Sequence, residues 1–403
     1  MKKLYLLFTI IFTFAILVGV LLAANYTISP RLSGGEDFRV SWMGARAYLF
    51  DEANPYTVEV AREAQVEIYG RFAEEGEYPY RLDKPFYILF FYFPFAFMEN
   101  FNLARALWMS FSEIALFGVG LLSIQLAGWK ISRLNLALLF TALFLSFYGL
   151  YPLIIGAGSI FTTLIFLLVL LTLREKKDEA LAILLFFSTI YLGSGGVLFF
   201  FILFILITSR RRRVFSVLSM SLIAIIGFSL IFFPDLPLSF LRATFANLRV
   251  AQGFLLSETL QIWRPKDGAL IAEIIKWFSI LLLIFEWITL HKRPFEHLLW
   301  GAGLSIAITP FLGIHATSNI YPLLFFPFVL VLKTVQSRWG SKEWIVSLAI
   351  ISLFASWVIF WRTPDALKIL AYLFPLLLII SLYWMRWWTI RPPRTWADKI
   401  NLK

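Results

Sequence analysis

Cysteine is absent from all 403 residues. That excludes a disulfide framework, a thiolate metal site and a cysteine nucleophile, and leaves the redox compartment open. Charge is scarce too: 15% of residues are charged, where a soluble domain carries roughly 25%. The three histidines, His291, His297 and His315, are scattered, and no spacing among them suits a metal. There is no P-loop, no GxGxxG, no HExxH and no Asp-x-Asp pair of the kind that holds a metal with a nucleotide diphosphate. Chemistry on a soluble nucleotide-sugar therefore has no support.

What fills the sequence is apolar. Hydrophobic residues make up 60% and aromatics 18%, with a mean hydropathy of +0.79. At about 20 residues per crossing, that is enough for ten to thirteen transmembrane helices. The expectation is an all-α polytopic membrane protein, residues 1–403 forming one membrane domain. The formal charge of +11 does not point to nucleic acid, because the basic residues sit in short clusters between apolar runs and not along one face. They are topology signals.

The run Leu4 to Ala24, behind Lys2 and Lys3, reads as an uncleaved first span, although Ala23-Ala24 would suit a secretory signal. A polar stretch, Asn25 to Lys84, follows. Apolar runs then occupy 85 to 98, 103 to 127, 134 to 150, 153 to 173, 180 to 208, 214 to 233, 268 to 290, 295 to 311, 320 to 332, 344 to 361 and 366 to 385. Splitting 180 to 208 at Gly193-Ser194-Gly195-Gly196 gives about twelve spans, provided that Pro85 to Met98, about 21 Å as a helix and interrupted by Pro94, lies in the interface without crossing.

The loops then separate by charge. One set carries Lys130, Arg133, Arg174, Lys176, Lys177, Arg210 to Arg213, Lys292, Arg293, Lys333, Arg338, Lys342 and five cations after Met385, 19 in all. The opposite set carries five: Arg242, Arg249, Arg264, Lys266 and Arg362. The positive-inside rule places the first set and both termini in the cytoplasm of a multi-pass plasma-membrane protein. Two exterior loops result, residues 25–99 and 234–267.

The stretch from Asn25 to Lys84 holds eleven acidic and seven basic residues, and it is patterned. Phe38, Trp42, Ala45 and Leu49 form one helical stripe; Ala61, Ala64, Ile68 and Phe72 form a second after the turn Asn54-Pro55, with Glu67 and Arg71 as an i,i+4 pair. Two juxtamembrane helices with their apolar faces down on the membrane are expected.

Gly34-Gly35-Glu36-Asp37-Phe38 puts two carboxylates at the start of the first of these helices. Asp37 either caps the helix by accepting backbone N–H groups or acts as a general base on a hydroxyl, with Glu36 as the alternate. Tyr78 to Pro85 brings tyrosines and the cations Arg81 and Lys84 to the membrane boundary, where they either bind a lipid phosphate or serve as interfacial anchors. Arg264 and Lys266 invite the same phosphate-binding reading. His315 and Asn319 either contact a sugar or form a polar turn. Glu113 and Glu286, within apolar runs, are intramembrane carboxylates.

This layout resembles the GT-C class of membrane glycosyltransferases, and more closely glycosyltransferase family 87, the polyprenyl-phosphate-mannose-dependent mannosyltransferases. The likeness lies in Asp37, Phe38, Trp42, Ala45, Ala47 and Tyr48, in Asn54-Pro55-Tyr56, in Tyr78-Pro79-Tyr80 with a later proline, in Ala104, Leu107 and Trp108, and in Thr309-Pro310 with Asn319-Ile320-Tyr321 beyond. The chain departs where the family shows Gly-Gln and Lys-Pro pairs: it has Gly156-Ala157-Gly158-Ser159 and Gly193-Ser194-Gly195. Arg81 to Lys84 also separate the tyrosine pair from its proline. The resemblance implies a GT-C-like bundle whose first exterior loop supplies the base, Asp37. It also implies a polyprenyl-phosphate-sugar donor, a hexose or pentose such as mannose, and a glycolipid or glycan acceptor.

The expected reaction is inverting. Arg81, Lys84 and Arg264 would meet the donor phosphate; Tyr80, His315 and Asn319 would meet the sugar; no metal ligands and no cofactor are assigned. The alternatives are a secondary transporter or lipid-linked sugar flippase, and a polysaccharide polymerase or ligase.

Overall fold

The computed structural model describes residues 2–247, 253–338 and 343–390. Arg249, Lys342 and the cations after position 390, all part of the charge asymmetry above, lie outside the described residues. In chain order the helices are α1 (Lys2–Ile28), α2 (Glu36–Phe50), α3 (Val58–Tyr69), α4 (Leu89–Ala96), α5 (Phe101–Ala127), α6 (Arg133–Leu145), α7 (Phe147–Ile155), α8 (Ser159–Glu175), α9 (Asp178–Ser188) and α10 (Leu192–Thr208). They continue as α11 (Arg212–Phe232), α12 (Asp235–Asn247), α13 (Leu256–Gln261), α14 (Gly268–Leu290), α15 (Phe295–Ile308), α16 (Tyr321–Arg338), α17 (Glu343–Ser352), α18 (Ala355–Arg362) and α19 (Ala366–Thr389). Among the described residues there is no strand, only an isolated antiparallel bridge between Phe254 and Ala316.

Among the described residues, eight helices are long and apolar enough to cross a bilayer: Phe12–Arg31, α5, α11, α14, Phe295–Leu312, Ser318–Arg338, Glu343–Arg362 and α19. A ninth results if α6 and α7, bent by 41°, are one span. The remaining difference from the expected dozen falls on α8, α9 and α10, of 17, 11 and 17 residues. The last is about 26 Å long, just under the thickness of a hydrocarbon core. Phe86–Ala96, with Pro94 inside, is one of the shorter apolar helices.

The run from 180 to 208 breaks at the 3-10 turn Thr189–Tyr191 and not at its glycines, which open α10. The physical reason is packing. A Cβ on Gly195 would lie 2.0 Å from the Phe166 ring, so this glycine lets α10 approach α8 closely; it does not interrupt the helix.

The chain forms two compact units. The first comprises Met1–Leu116, Tyr151–Phe161 and Leu222–Ala251; the second comprises Phe117–Leu150, Thr162–Ser221 and Gln252–Lys403. In the first unit the stripe expected on α2 exists, with Phe38, Trp42 and Ala45 buried, but it is covered by protein and does not lie down on lipid. Trp42 donates from Nε1 to the Phe95 carbonyl (3.0 Å), and Phe38 stacks on Trp108 of α5, 4.9 Å between centroids. The segment Leu89–Ala96 supplies that apolar cover, so no bilayer surface is needed.

In α3, Ala61 and Ala64 are buried as expected, whereas Phe72 is 59% exposed. The helix stops at Gly70, whose φ of +72° is the left-handed C-cap conformation that glycine adopts without strain. Arg71 thereby leaves the i,i+4 register. It pairs instead with Glu77 through two bonds of 2.7 and 2.8 Å, while Glu67 pairs with Arg39.

The second unit is centred on α15 and α16, its most buried spans. Trp300 of α15 donates to the Leu382 carbonyl of α19 (2.9 Å). Glu286 of α14, 2% exposed, is answered by Arg386 of α19 at 2.9 Å and by the Tyr383 hydroxyl at 3.3 Å. An intramembrane carboxylate is thus neutralised by a partner on the neighbouring span.

Candidate functional site

The site in the first unit is built around the turn that leads into α2. Gly34 and Gly35 both have positive φ, +137° and +89°, a backbone that suits glycine alone. They are also pressed against neighbours: a Cβ on Gly34 would lie 2.7 Å from the Ile154 carbonyl, and one on Gly35 would lie 2.8 Å from Arg105 Nε. Arg105, buried near the start of α5, clamps the turn. Its Nη1 donates to the carbonyls of Ser29 (2.9 Å) and Leu32 (3.0 Å), and its Nη2 to that of Ile154 (3.0 Å). The chain leaving α1 and the end of α7 are held by one guanidinium.

Glu36 and Asp37 occupy the first turn of α2, where the helix dipole favours negative charge. The N-cap itself is Gly35, with no side-chain capping bond. Asp37 is therefore not the N-cap residue, although its place in the first turn answers the helix dipole. Asp37 is 9% exposed, and Asp37 Oδ2 and Glu36 Oε2 are both buried without a hydrogen-bond partner. Burial lifts the Glu36 carboxyl above its ordinary range; its own backbone N–H works against this, Asp37 adds to it, and Arg105 and Arg39 partly offset it.

Beneath this turn, Lys84 is 4% exposed. Its Nζ donates to the Asp37 carbonyl (3.2 Å) and to Ser41 Oγ (2.5 Å), and it lies 5.4 Å from the centre of the Tyr92 ring. Burial opposes the ammonium charge, but Tyr92, Asp37 and Asp83 outweigh it and hold the group above its ordinary value. Trp108 backs the site. It packs against both Phe38 and Tyr92, with ring centroids 4.9 and 4.8 Å away, and donates from Nε1 to the Gly156 carbonyl (3.0 Å). Each such aromatic pair contributes about 1 kcal/mol beyond its buried area.

Tyrosines flank the carboxylates. Tyr80 packs against Tyr69 and Tyr78, each 5.2 Å away, in a strained backbone with φ +43°. Burial, then Asp83 and Asp37, pushes the Tyr78 hydroxyl well up; burial, Tyr69 and Glu36 do the same for Tyr80. Both stay protonated donors. Tyr151 of α7 also feels Glu36 and Asp37. The segment is stitched by Gln65, which donates to the Pro79 carbonyl (2.7 Å) and accepts from the Ala73 N–H (3.0 Å). Tyr56 donates to the Lys84 carbonyl (2.8 Å).

The structure thus brings Glu36, Asp37, Tyr80 and Lys84 into one neighbourhood. Arg81, half-buried, makes no ion pair with a described residue. The other expected site residues belong to the second unit. Arg264 is exposed in the turn after α13, where its carbonyl accepts from Gly268 N–H (2.8 Å). His315 is half-buried next to the Phe254–Ala316 bridge, and Asn319 is 7% exposed with Oδ1 unpartnered. Among the described residues no three His, Asp or Glu side chains converge as metal ligands.

Arg105, Ser41, Tyr92 and Tyr151 were not singled out from sequence. The one available signal was Arg105 itself, a cation in the first turn of an apolar span. Comparisons of the chain with family models, with curated proteins and with solved structures find no match.

Proposed function

We propose that this protein is an inverting membrane glycosyltransferase of the GT-C type, with Asp37 as general base. The acceptor O–H proton passes to the Asp37 carboxylate as the oxygen bonds to the anomeric carbon of a polyprenyl-phosphate sugar. The bond from that carbon to the phosphate oxygen breaks, and polyprenyl phosphate leaves.

The observation that carries this reading is the pair of adjacent carboxylates, Glu36 and Asp37, each keeping one buried oxygen without a partner. A buried, unpaired carboxylate oxygen costs free energy unless a ligand donates to it, and a hydroxyl is the donor that general-base chemistry requires. The neighbouring tyrosine donors, with Tyr80 beside the acids, suit a sugar. Arg81 and Lys84 supply charge for the departing phosphate. The reading includes about twelve crossings, counting α8 to α10, and cytoplasmic termini in the plasma membrane.

Purified protein in liposomes with radiolabelled polyprenyl-phosphate sugars, assayed beside lipid extracts of a deletion strain, tests it. Transfer of label to a glycolipid or glycan acceptor is expected; no transfer from any such donor defeats the proposal. One observation favours a flippase as the second reading: Glu113, half-buried within α5, accepts from Asn25 Nδ2 at 3.1 Å. In the same liposomes, translocation of lipid-linked sugar without transfer would select it.

A further inference from the structure

The second unit contains a cavity that the proposed chemistry does not use. It lies where α5, α8, α16 and α19 end and α15 begins, and holds about 220 Å³. Leu126, Leu299, Trp300, Leu330 and Met385 give it an apolar wall, and Arg174 and Lys333 reach it from α8 and α16. Neither cation has an ion-pair partner among the described residues. Arg174 has one long bond, 3.4 Å, to the Gln125 carbonyl. Arg386 nearby is different, because Glu286 already answers it.

We propose that this cavity binds the phosphate headgroup of an anionic phospholipid. Two cations from separate helices converge on a space that also receives the first turn of α15, whose dipole is positive at that end. Among the described residues Glu296 is the single carboxylate in the lining, against two cations, so the lining carries a net positive charge. Phosphate is the shared chemistry of a lipid headgroup and a free anion, and the apolar wall decides between them. The surrounding helices include candidate spans, and a basic pocket at the ends of spans lies at headgroup depth, where it takes the phosphate while the chains run down the hydrocarbon. A soluble anion has no use for that wall.

The test uses the full chain, delipidated in detergent. It is incubated with mixed micelles of phosphatidylglycerol, with mixed micelles of phosphatidylcholine, or with inorganic phosphate, and bound lipid is read by native mass spectrometry. Phosphatidylglycerol should be retained about tenfold more than phosphatidylcholine, the size expected for charge-assisted contacts. The double variant Arg174→Gln, Lys333→Gln should lose that preference, with each single variant showing a smaller loss in the same direction. Lys292→Gln, outside the cavity, should retain it. Equal retention of the two lipids, unchanged retention in variants that still unfold cooperatively, or displacement of lipid by millimolar inorganic phosphate would each overturn the proposal.

Discussion

Lys84 Nζ lies 3.2 Å from the backbone carbonyl of Asp37 and bonds to that oxygen and to Ser41 Oγ. The cation therefore sits under the acid's main chain, and one oxygen of the adjacent carboxylate is left without a partner. The arrangement places a positive charge beside Asp37 while one carboxylate oxygen stays unpartnered.

Asp37→Asn should leave expression and thermal stability near wild type, because the helix is capped by Gly35 and not by this side chain. Transfer activity should fall about 100- to 10,000-fold, since an amide has no basic lone pair to accept the proton. Glu36→Gln should be milder, as the two side chains diverge by about 100° around the helix. Rates measured on folded protein decide: if Asp37→Asn keeps activity within a few-fold while Glu36→Gln abolishes it, the base is Glu36.

Lys84 and Arg264 should respond differently to alanine. Lys84 is buried and bonded to α2, so its loss removes one donor from the Asp37 carbonyl and one from Ser41 Oγ and should lower both stability and donor use. Arg264 is exposed; its loss should weaken donor use by one to two decades, about 1.5 to 3 kcal/mol for a charged contact, with the melting temperature unchanged. Equal donor dependence in both variants and wild type would reduce these cations to anchors.

Glu36 makes stability depend on pH. Its folded-state carboxyl is raised above the ordinary 4.5, so the folded state holds a proton that the unfolded chain releases. Its contribution is fully present below about pH 4.5 and is lost as pH rises through the folded value. Thermal unfolding of wild type and Glu36→Gln from pH 4 to 8 should show the wild type losing stability relative to the variant across that window. Parallel curves would contradict the buried, raised carboxyl.

The absence of cysteine makes topology directly measurable. Single cysteines at Glu74 and Arg211 should be labelled by an impermeant reagent from opposite faces, Glu74 from outside. Labelling of both from one side would invert or discard the charge-based assignment.

The helices α2 and α3 were legible because their stripes repeat at helical spacing, and Phe38, Trp42, Ala61 and Ala64 are buried as that spacing requires. What covers the stripes was not legible. Periodicity states that a face is apolar, not whether lipid or Leu89–Ala96 lies against it. Glu67 found Arg39 in place of Arg71, because the local pair depended on helix continuing past Gly70. The acids of the site could be seen in the sequence, but the clamp that places them could not: Arg105 acts on carbonyls 76, 73 and 49 positions away, and carbonyls carry no sequence signal.

That last property has an evolutionary consequence. Among the described residues every acceptor of Arg105 is a main-chain oxygen, so a change of side chain at positions 29, 32 or 154 takes no acceptor away from the clamp. It constrains the path and length of the chain. Between Ser29 and Glu36, substitution should be tolerated at the exposed Arg31 and Ser33 and resisted at the two glycines and the buried Ser29. A one-residue insertion or deletion there would shift both carboxylates relative to α5 and silence the site, whatever residue was added or removed.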